Sequence, residues 1–308
     1  MVCGGQHGIR YGVPRPTATR DNLEAGFVAD LIAIDIGNTH IKLGVYGAGR
    51  WIQEWRLSTD ARRTADEYQL GLRGLLAQAG VKKSRRAVIA SVVPLLTPIF
   101  LRVAETVSDT PPLEIVPPGY GLTVQYNPPE SLGADRFVNA LAAWTLVGEA
   151  IVVDAGTTVT VDAVTAEGKF LGGAIAPGPH FLVQALATGT AKLPLIAPTI
   201  PEFSLGQRTQ DAIAVGIGHG FVGMVNELIS QTNAITGGQA TIVLTGGWAG
   251  RLAPFVRWPV RLEPQLTLEG LRFAVEWRSK ETYRKAGDGD GGSRNRTHSR
   301  GSHRVSLD

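Results

Sequence analysis

The chain has a single cysteine, Cys3, so it has no intrachain disulfide framework and no thiolate metal site. Its six histidines are dispersed, none at HxH or HxxxH spacing, which argues against a zinc site. The glycine-rich stretches lack the GxxxxGK(S/T) pattern, and that excludes a Walker-type phosphate loop. No run approaches the ~18 consecutive apolar residues of a membrane helix, and residues 1–28 lack the apolar centre of a secretory signal. A cytoplasmic protein with no membrane partner is the expectation.

Charge is also sparse, at 19% of residues, and unevenly placed. From Ser279 to Asp308 there are seven Lys/Arg against four Asp/Glu, a surplus equal to the formal +3 of the whole chain. The preceding residues are therefore neutral, and a basic pI carries no argument for a nucleic-acid-binding core. Residues 280–308 are rich in Gly, Ser and Arg and have too little apolar surface to offset their ordering entropy. They read as a disordered basic tail, capable at most of a weak non-specific contact with nucleic acid. Residues 1–29 read as a disordered extension.

What the sequence does have is a regular alternation of strand-like and helix-like segments. "DLIAIDI" is an apolar run of strand length, followed after a tight turn by "THIKLGVY", and "RWIQEWRL" reads as a third strand. A helix over "TADEYQLGLRGLLAQAG" is marked by a capping box, Thr64 with Glu67, and by Gly80 at its end. A strand "AVIASVV" stops at Pro94, and a helix is expected over Leu95–Val107. Short strands "EIV" and "LTVQY" flank "PPGYG", and another helix runs from about Gly133 through "RFVNALAAWTLVG".

The opening motif then recurs. "IAIDIGNTHIKLGV" (Ile32–Val45) aligns without a gap to "IVVDAGTTVTVDAV" (Ile151–Val164), with Ile, Asp, Gly and Thr coinciding at an offset of 119 residues. Each copy follows an apolar strand and precedes a second one, so a duplicated domain explains the match better than two unrelated turns do. The glycine lets backbone approach a ligand, and turn N–H groups with Asn38, Thr39, Thr157 and Thr158 can hold an anion. A carboxylate in such a place repels phosphate unless a cation lies between them. Asp35 or Asp154 is suited to hold that cation.

Paired loops of this kind resemble those of the acetate/sugar kinase, Hsp70 and actin superfamily. Within it, "YNPPESLGADRFVNALAA", "DAGTTVTVDAV", "FLGGAIAPG", "TGTAKLP", "LGQRTQDAIAVGI" and "LTGGWAG" occur in the order of type III pantothenate kinases. The resemblance runs from about Leu31 to Trp277. It implies an α/β fold of two duplicated RNase H-like (actin-like ATPase) domains, residues 30–149 and 150–279, with a nucleotide cleft between them. It also implies phosphorylation of pantothenate by ATP with Mg2+ and a monovalent cation, K+ or NH4+, in a homodimer. Under this resemblance Asp35, Ile36, Gly37, Asn38, Thr39, His40, Ile41, Lys42 and Thr157 would contact ATP, and Asp154 would hold the monovalent cation. Tyr126, Gly133, Ala134, Asp135, Arg136 and Thr209 would contact pantothenate, Thr209 from the other subunit in one reading, with Asp135 as proton acceptor. "LTGGWAG" would lie near the adenosine. The chain departs from the family pattern at Ala155, Gly189 and Trp248, none of them a group needed for the chemistry.

Several residues admit a second reading. Asp135 could be a helix-start residue paired with Arg136, and Arg136 could form a structural salt bridge instead of binding a substrate carboxylate. Lys42 could be a solvated edge lysine and Tyr126 a half-buried strand end. Asp162 reads as structural, and "GGAIAPGP" as a tight glycine turn shaping the substrate pocket or a dimer contact. Two rival functions remain at this point: an accessory factor affecting transcription, or another phosphotransferase or phosphohydrolase of the superfamily, such as an exopolyphosphatase.

Overall fold

The chain builds one strand plan twice. In the computed structural model, which describes residues 26–289 and their side chains to residue 284, the first sheet contains β1 (Phe27–Ile36), β2 (His40–Gly47), β3 (Arg50–Ser58), β4 (Val81–Ser91) and β5 (Leu113–Glu114). Its order is β3-β2-β1-β4-β5. The second sheet contains β7 (Ala150–Ala155), β8 (Thr158–Val164), β9 (Lys169–Pro177), β10 (Thr241–Thr245) and β11 (Val260–Leu262), in the matching order β9-β8-β7-β10-β11. A further strand, β6 (Thr123–Val124), is added beside β9. In both sheets the first three strands form an antiparallel meander and the last two run parallel to the first.

β1 is a continuous apolar run because both of its faces are covered. Ile32, Ile34 and Ile36 face α1 (Ala65–Gln78) and α2 (Thr97–Glu105), while Leu31 and Ala33 face α3 (Ala134–Val147) and α7 (Leu266–Gly289). β7 repeats the arrangement. Val152 faces α3 and α7, and Ile151, Val153 and Ala155 face α5 (Thr209–Ile235) and α6 (Ala249–Leu252). The layers are therefore helices, sheet, the α3/α7 pair, sheet, helices, with α4 (Pro179–Gly189) beside α5. The expected capping box at Thr64 is present, with Thr64 N donating to Glu67 Oε2 at 2.7 Å and Glu67 N to Thr64 Oγ1 at 3.3 Å.

Four features differ from the expectations. β1 begins at Phe27, before residue 30, because Phe27 N donates to Gly80 O at 2.8 Å and the strand pairs with Val81. Helix α7 continues to Gly289, past the expected start of a disordered tail at 280. A helix already nucleated by tertiary packing extends at little cost through good helix formers such as Lys280, Glu281 and Arg284. "GGAIAPGP" is not a turn: its first six residues belong to β9. Finally, the strands do not divide between the sheets at residue 149, since β6 joins the second sheet and α7 returns to pack on α3, β1 and β4. The expectations for residues 1–25 and 290–308 fall outside the described residues.

By length and composition α5 could cross a membrane, with a mean hydropathy of 1.5 over its most apolar window. Interspersed Gly, His and Asn break it into short apolar runs, which is why no span is read from the sequence. One side of it, Phe221, Val225 and Ile229, lies in the core against the second sheet.

The α3/α7 crossing depends on Gly270. A Cβ there would lie 2.0 Å from Val138 O, so the two helix backbones are in contact at this point. Gly270→Val forces the helices apart or the side chain off its rotamer, and its expected cost is about 1–3 kcal/mol in urea unfolding.

Candidate functional site

Each glycine turn closes with one backbone bond, Gly37 N to His40 O at 3.0 Å in the first half and Gly156 N to Thr158 O at 2.9 Å in the second. Both turns face a cleft of about 480 Å³ between the sheets. Asp35 and Asp154, separated by 119 positions in the chain, line the same space together with Asp135 from the start of α3.

The first half presents a row of polar groups across its sheet. Strand register sets Asp35 opposite Lys42 and Lys42 opposite Arg56, and all three line the cleft. Lys42 Nζ is 3.5 Å from Asp35 Oδ2 and donates to Thr267 Oγ1 at 3.3 Å, so it is not a solvated edge lysine. Burial pushes the Asp35 carboxyl up to about 6 although Lys42 pulls it down, with Asp135 and Asp154 adding to the rise. Burial works against the charge on Lys42, but Asp35 and Asp154 outweigh it and its pKa is raised. His40 is shifted the other way, below the usual histidine range, by burial and by Arg56 and Lys42.

Asp135 opens α3, and Gly133 is needed for its pose: a Cβ at 133 would meet Asp135 Oδ1 at 2.6 Å. The carboxylate folds back and accepts from Arg136 N at 2.7 Å. Burial raises its pKa, against the pull of that N–H and with a further push from Asp154. Such a group is a stronger base once ionised than an ordinary aspartate.

Arg136 forms the salt bridge of its second reading. Its guanidinium is buried against Asp162, Nε lying 3.1 and 3.2 Å from the two carboxylate oxygens and Nη2 also bonding Oδ1. Nη1 donates to Tyr126 Oη at 3.3 Å, and the guanidinium carbon sits 5.5 and 5.7 Å from the Tyr126 and Phe170 ring centres. These bonds engage three of the five guanidinium N–H groups, and the edge of Arg136 still lines the cleft. Asp162 reaches it by crossing Gly173 on β9, where a Cβ would lie 2.2 Å from Asp162 Oδ1. That close approach is the use of the second glycine of the pair in "FLGGAIAPG".

Of the residues expected at the site, Asp35, Gly37, Asn38, Thr39, His40, Lys42, Asp135, Arg136, Asp154 and Thr157 line the cleft. Ile36 and Ile41 do not, being wholly buried against α1 and α2, as strand alternation requires of neighbours of cleft-facing residues. Ala134 belongs to the core between the sheets, and Tyr126 does not line the cleft but accepts from Arg136, which does. Thr209 opens α5 on an exposed surface outside the cleft of a single chain. Sequence reasoning missed Arg56, His180, Phe181 and Arg251, which line the cleft, and Asn139, whose Nδ2 donates to Asp154 Oδ2 at 3.0 Å. Asn139 lies four residues after Asp135 on one helix, so a helical spacing was the available signal. Trp248, in the expected adenosine segment, is buried, with Phe221 and His180 at its edges and Arg251 over its ring at 5.0 Å.

Residues 31–231 match the family model described as type III pantothenate kinase. The chain belongs to this family. Its curated relatives include the type III pantothenate kinases of Moorella thermoacetica, 41% identical over 80% of this chain and 98% of that one, and of Geobacter sulfurreducens, 39% identical over the same shares. Solved structures show the fold alone. A Campylobacter jejuni protein assigned to the Baf family of transcriptional activators has a TM-score of 0.54 at 19% identity, covering 81% of this chain and 99% of that one. A Sinorhizobium meliloti protein assigned as a 2-dehydro-3-deoxygalactonokinase has a TM-score of 0.55 at 15% identity, covering 80% and 96%. The actin-like ATPase architecture of two duplicated α/β domains expected for a type III pantothenate kinase is the one the strand plan displays.

The Asp35 shift carries a stability consequence. An ordinary aspartate ionises near 3.8, and this one near 6, so between those values the folded chain holds a proton that the unfolded chain has released. Its contribution is present at low pH and lost as pH rises through about 6. Without nucleotide, Asp35→Asn is expected to be more stable than the parent above that pH by on the order of 2–3 kcal/mol, the difference closing as pH falls towards the ordinary value. Denaturant titrations across this range read it directly.

Proposed function

We propose that the chain transfers the γ-phosphoryl group of ATP to the primary hydroxyl of pantothenate, giving 4′-phosphopantothenate, the first step towards coenzyme A. The observation that carries the site assignment is the convergence of both glycine turns and of Asp35, Asp135 and Asp154 on one cleft. The triphosphate lies against the two turns, with Asn38, Thr39 and Thr157 as side-chain donors and Lys42 and Arg56 as positive groups. Asp35 is suited to Mg2+, which takes one or two carboxylates besides phosphate oxygens and water. Asp154 is suited to a monovalent cation, because a single carboxylate stands there among neutral oxygens. The bound ions neutralise phosphate charge.

Asp135 accepts the proton of the attacking hydroxyl. Phosphoryl transfer through a loose transition state leaves the protein chiefly the tasks of alignment and charge neutralisation. The fixed pose of Asp135 on α3 serves the first task, and Lys42 and Arg56 serve the second. Arg136 contributes by holding the start of α3 against the second sheet. Its two remaining N–H groups, on the edge that lines the cleft, are available to the substrate carboxylate. The cytoplasm is the compartment in which ATP and the later steps meet this product.

Homodimerisation is part of the reading. Ile175, Phe181, Leu195, Phe203 and Leu205 expose apolar side chains, and Thr209 is exposed at the start of α5. A second copy covering these residues would bring Thr209 to a neighbouring cleft. Analytical ultracentrifugation is expected to give twice the chain mass, and Leu205→Glu to shift it towards one.

Purified protein with ATP, Mg2+, K+ and pantothenate is expected to release ADP in a pantothenate-dependent manner. Asp135→Asn is expected to lower kcat by about 10²–10⁴ with ATP binding retained, the range of a general base. Unchanged turnover in that variant would make Asp135 purely structural, and no pantothenate dependence would defeat the assignment.

A further inference from the structure

Each glycine turn is braced by one residue, and the two braces stand at equivalent positions of the duplication. β3 and β9 begin and end 119 positions apart, the offset between the two motifs, and the residues that follow them are Thr59 and Gly178. In the first half Thr59 Oγ1 donates to Gly37 O at 2.6 Å and Thr59 N donates to Thr39 O at 3.0 Å. In the second half Gly178 N donates to Thr157 O at 3.0 Å. A Cβ on Gly178 would stand 2.4 Å from Gly156 O and 2.5 Å from Thr157 O, so its backbone is packed directly on the turn. Its φ of −76° is open to any residue, and space alone demands glycine there.

A trans peptide unit sends its C=O and its N–H in opposite directions. Holding Gly37 O therefore turns the Asn38 N–H away from Thr59, and holding Thr157 O turns the Thr158 N–H away from Gly178. Asn38, Thr39, Thr157 and Thr158 line the cleft, whereas Thr59 and Gly178 do not. A peptide free to rotate would present its carbonyl oxygen to an anion for part of the time and repel it. The first brace is itself anchored. Tyr68, buried on α1, donates through Oη to Asp60 O at 2.9 Å and accepts from Asp60 N at 3.1 Å, so the chain at Thr59 is held between the helix and the turn.

We propose that Thr59 and Gly178 are positioning residues for the donor nucleotide, each fixing the peptide orientation of one turn so that its N–H groups face the phosphates. The inference rests on the reading that the triphosphate lies against the two turns. The halves reach the same end by different means, a hydroxyl in the first and the absence of a side chain in the second.

Isothermal titration with Mg2+ and the non-hydrolysable ATP analogue AMPPNP, at saturating pantothenate and well below the unfolding temperature, reads this without turnover. Thr59→Val removes the hydroxyl at nearly constant volume and is expected to raise the Kd of the analogue about 3–10-fold, the range of one hydrogen bond, while Thr59→Ser stays within about twofold of the parent. Gly178→Ala is expected to raise it by at least as much as Thr59→Val, because the added methyl must displace the turn. In steady state the KM for pantothenate is expected to be unchanged in Thr59→Val. A merely structural role would lower the Tm of Thr59→Val and leave the Kd where it was, and that result overturns the proposal. So does a Thr59→Ser that binds as weakly as Thr59→Val. An unchanged Kd in Gly178→Ala overturns the second brace, and should that variant not fold, the Thr59 pair decides. A parent that binds the analogue no better or worse than Thr59→Val loses only the braces. A parent that does not bind it at all defeats the phosphate reading of the turns, and the proposal with it.

Discussion

Helix α3 is the element on which the site depends, because it is buried between two sheets and bonded to the second at two points. Arg136 meets Asp162 and Asn139 meets Asp154, one helical turn apart, and Asp135 precedes them at the helix start. A buried ion pair of this kind gains little over a well-packed apolar contact, but breaking it leaves an uncompensated charge at a cost of about 3–5 kcal/mol. It therefore penalises every other seating of the helix. The same bonds that register α3 on β7 and β8 bring Asp135 into the cleft with Asp35 and Asp154.

Glycines allow these approaches where any side chain would obstruct them. Gly133 makes room for the Asp135 carboxylate, Gly173 for that of Asp162, and Gly246 for that of Asp154, where a Cβ would stand 2.4 Å from Oδ1. At Gly270 the contact is helix backbone on helix backbone. Gly246 and Gly270 relieve clashes between elements far apart in sequence. The conformational entropy lost at these positions is offset by interactions that no larger residue would permit.

The duplication is exact in strand order and unequal in charge. Both halves end their central strand in an aspartate beside a glycine turn, yet the neighbouring strand supplies lysine in one and threonine in the other. The rows that line the cleft therefore differ, with Asp35, Lys42 and Arg56 on the first sheet and Asp154 and Thr160 on the second.

Much of this was legible in the chain. The gapless match of Ile32–Val45 to Ile151–Val164 disclosed the duplication and the two acid-tipped turns, because a strand–turn–strand unit is local and its pattern is written in consecutive residues. The capping box at Thr64 and the helix after Gly133 were legible for the same reason. Ile36 and Ile41 turn their side chains away from the cleft because strand alternation sends every second residue of a contiguous motif into the core. What the sequence by itself determined is therefore the repeated unit, its turns and the acids at their tips. Only the tertiary structure decided that Arg136 belongs to Asp162, that Asn139 belongs to Asp154, that β6 and α7 cross between the halves, and that Lys42 and Thr160 occupy equivalent positions with opposite consequences. These depend on register and on contacts between distant segments, and local residue preference does not encode the partner at the other end of a long-range contact.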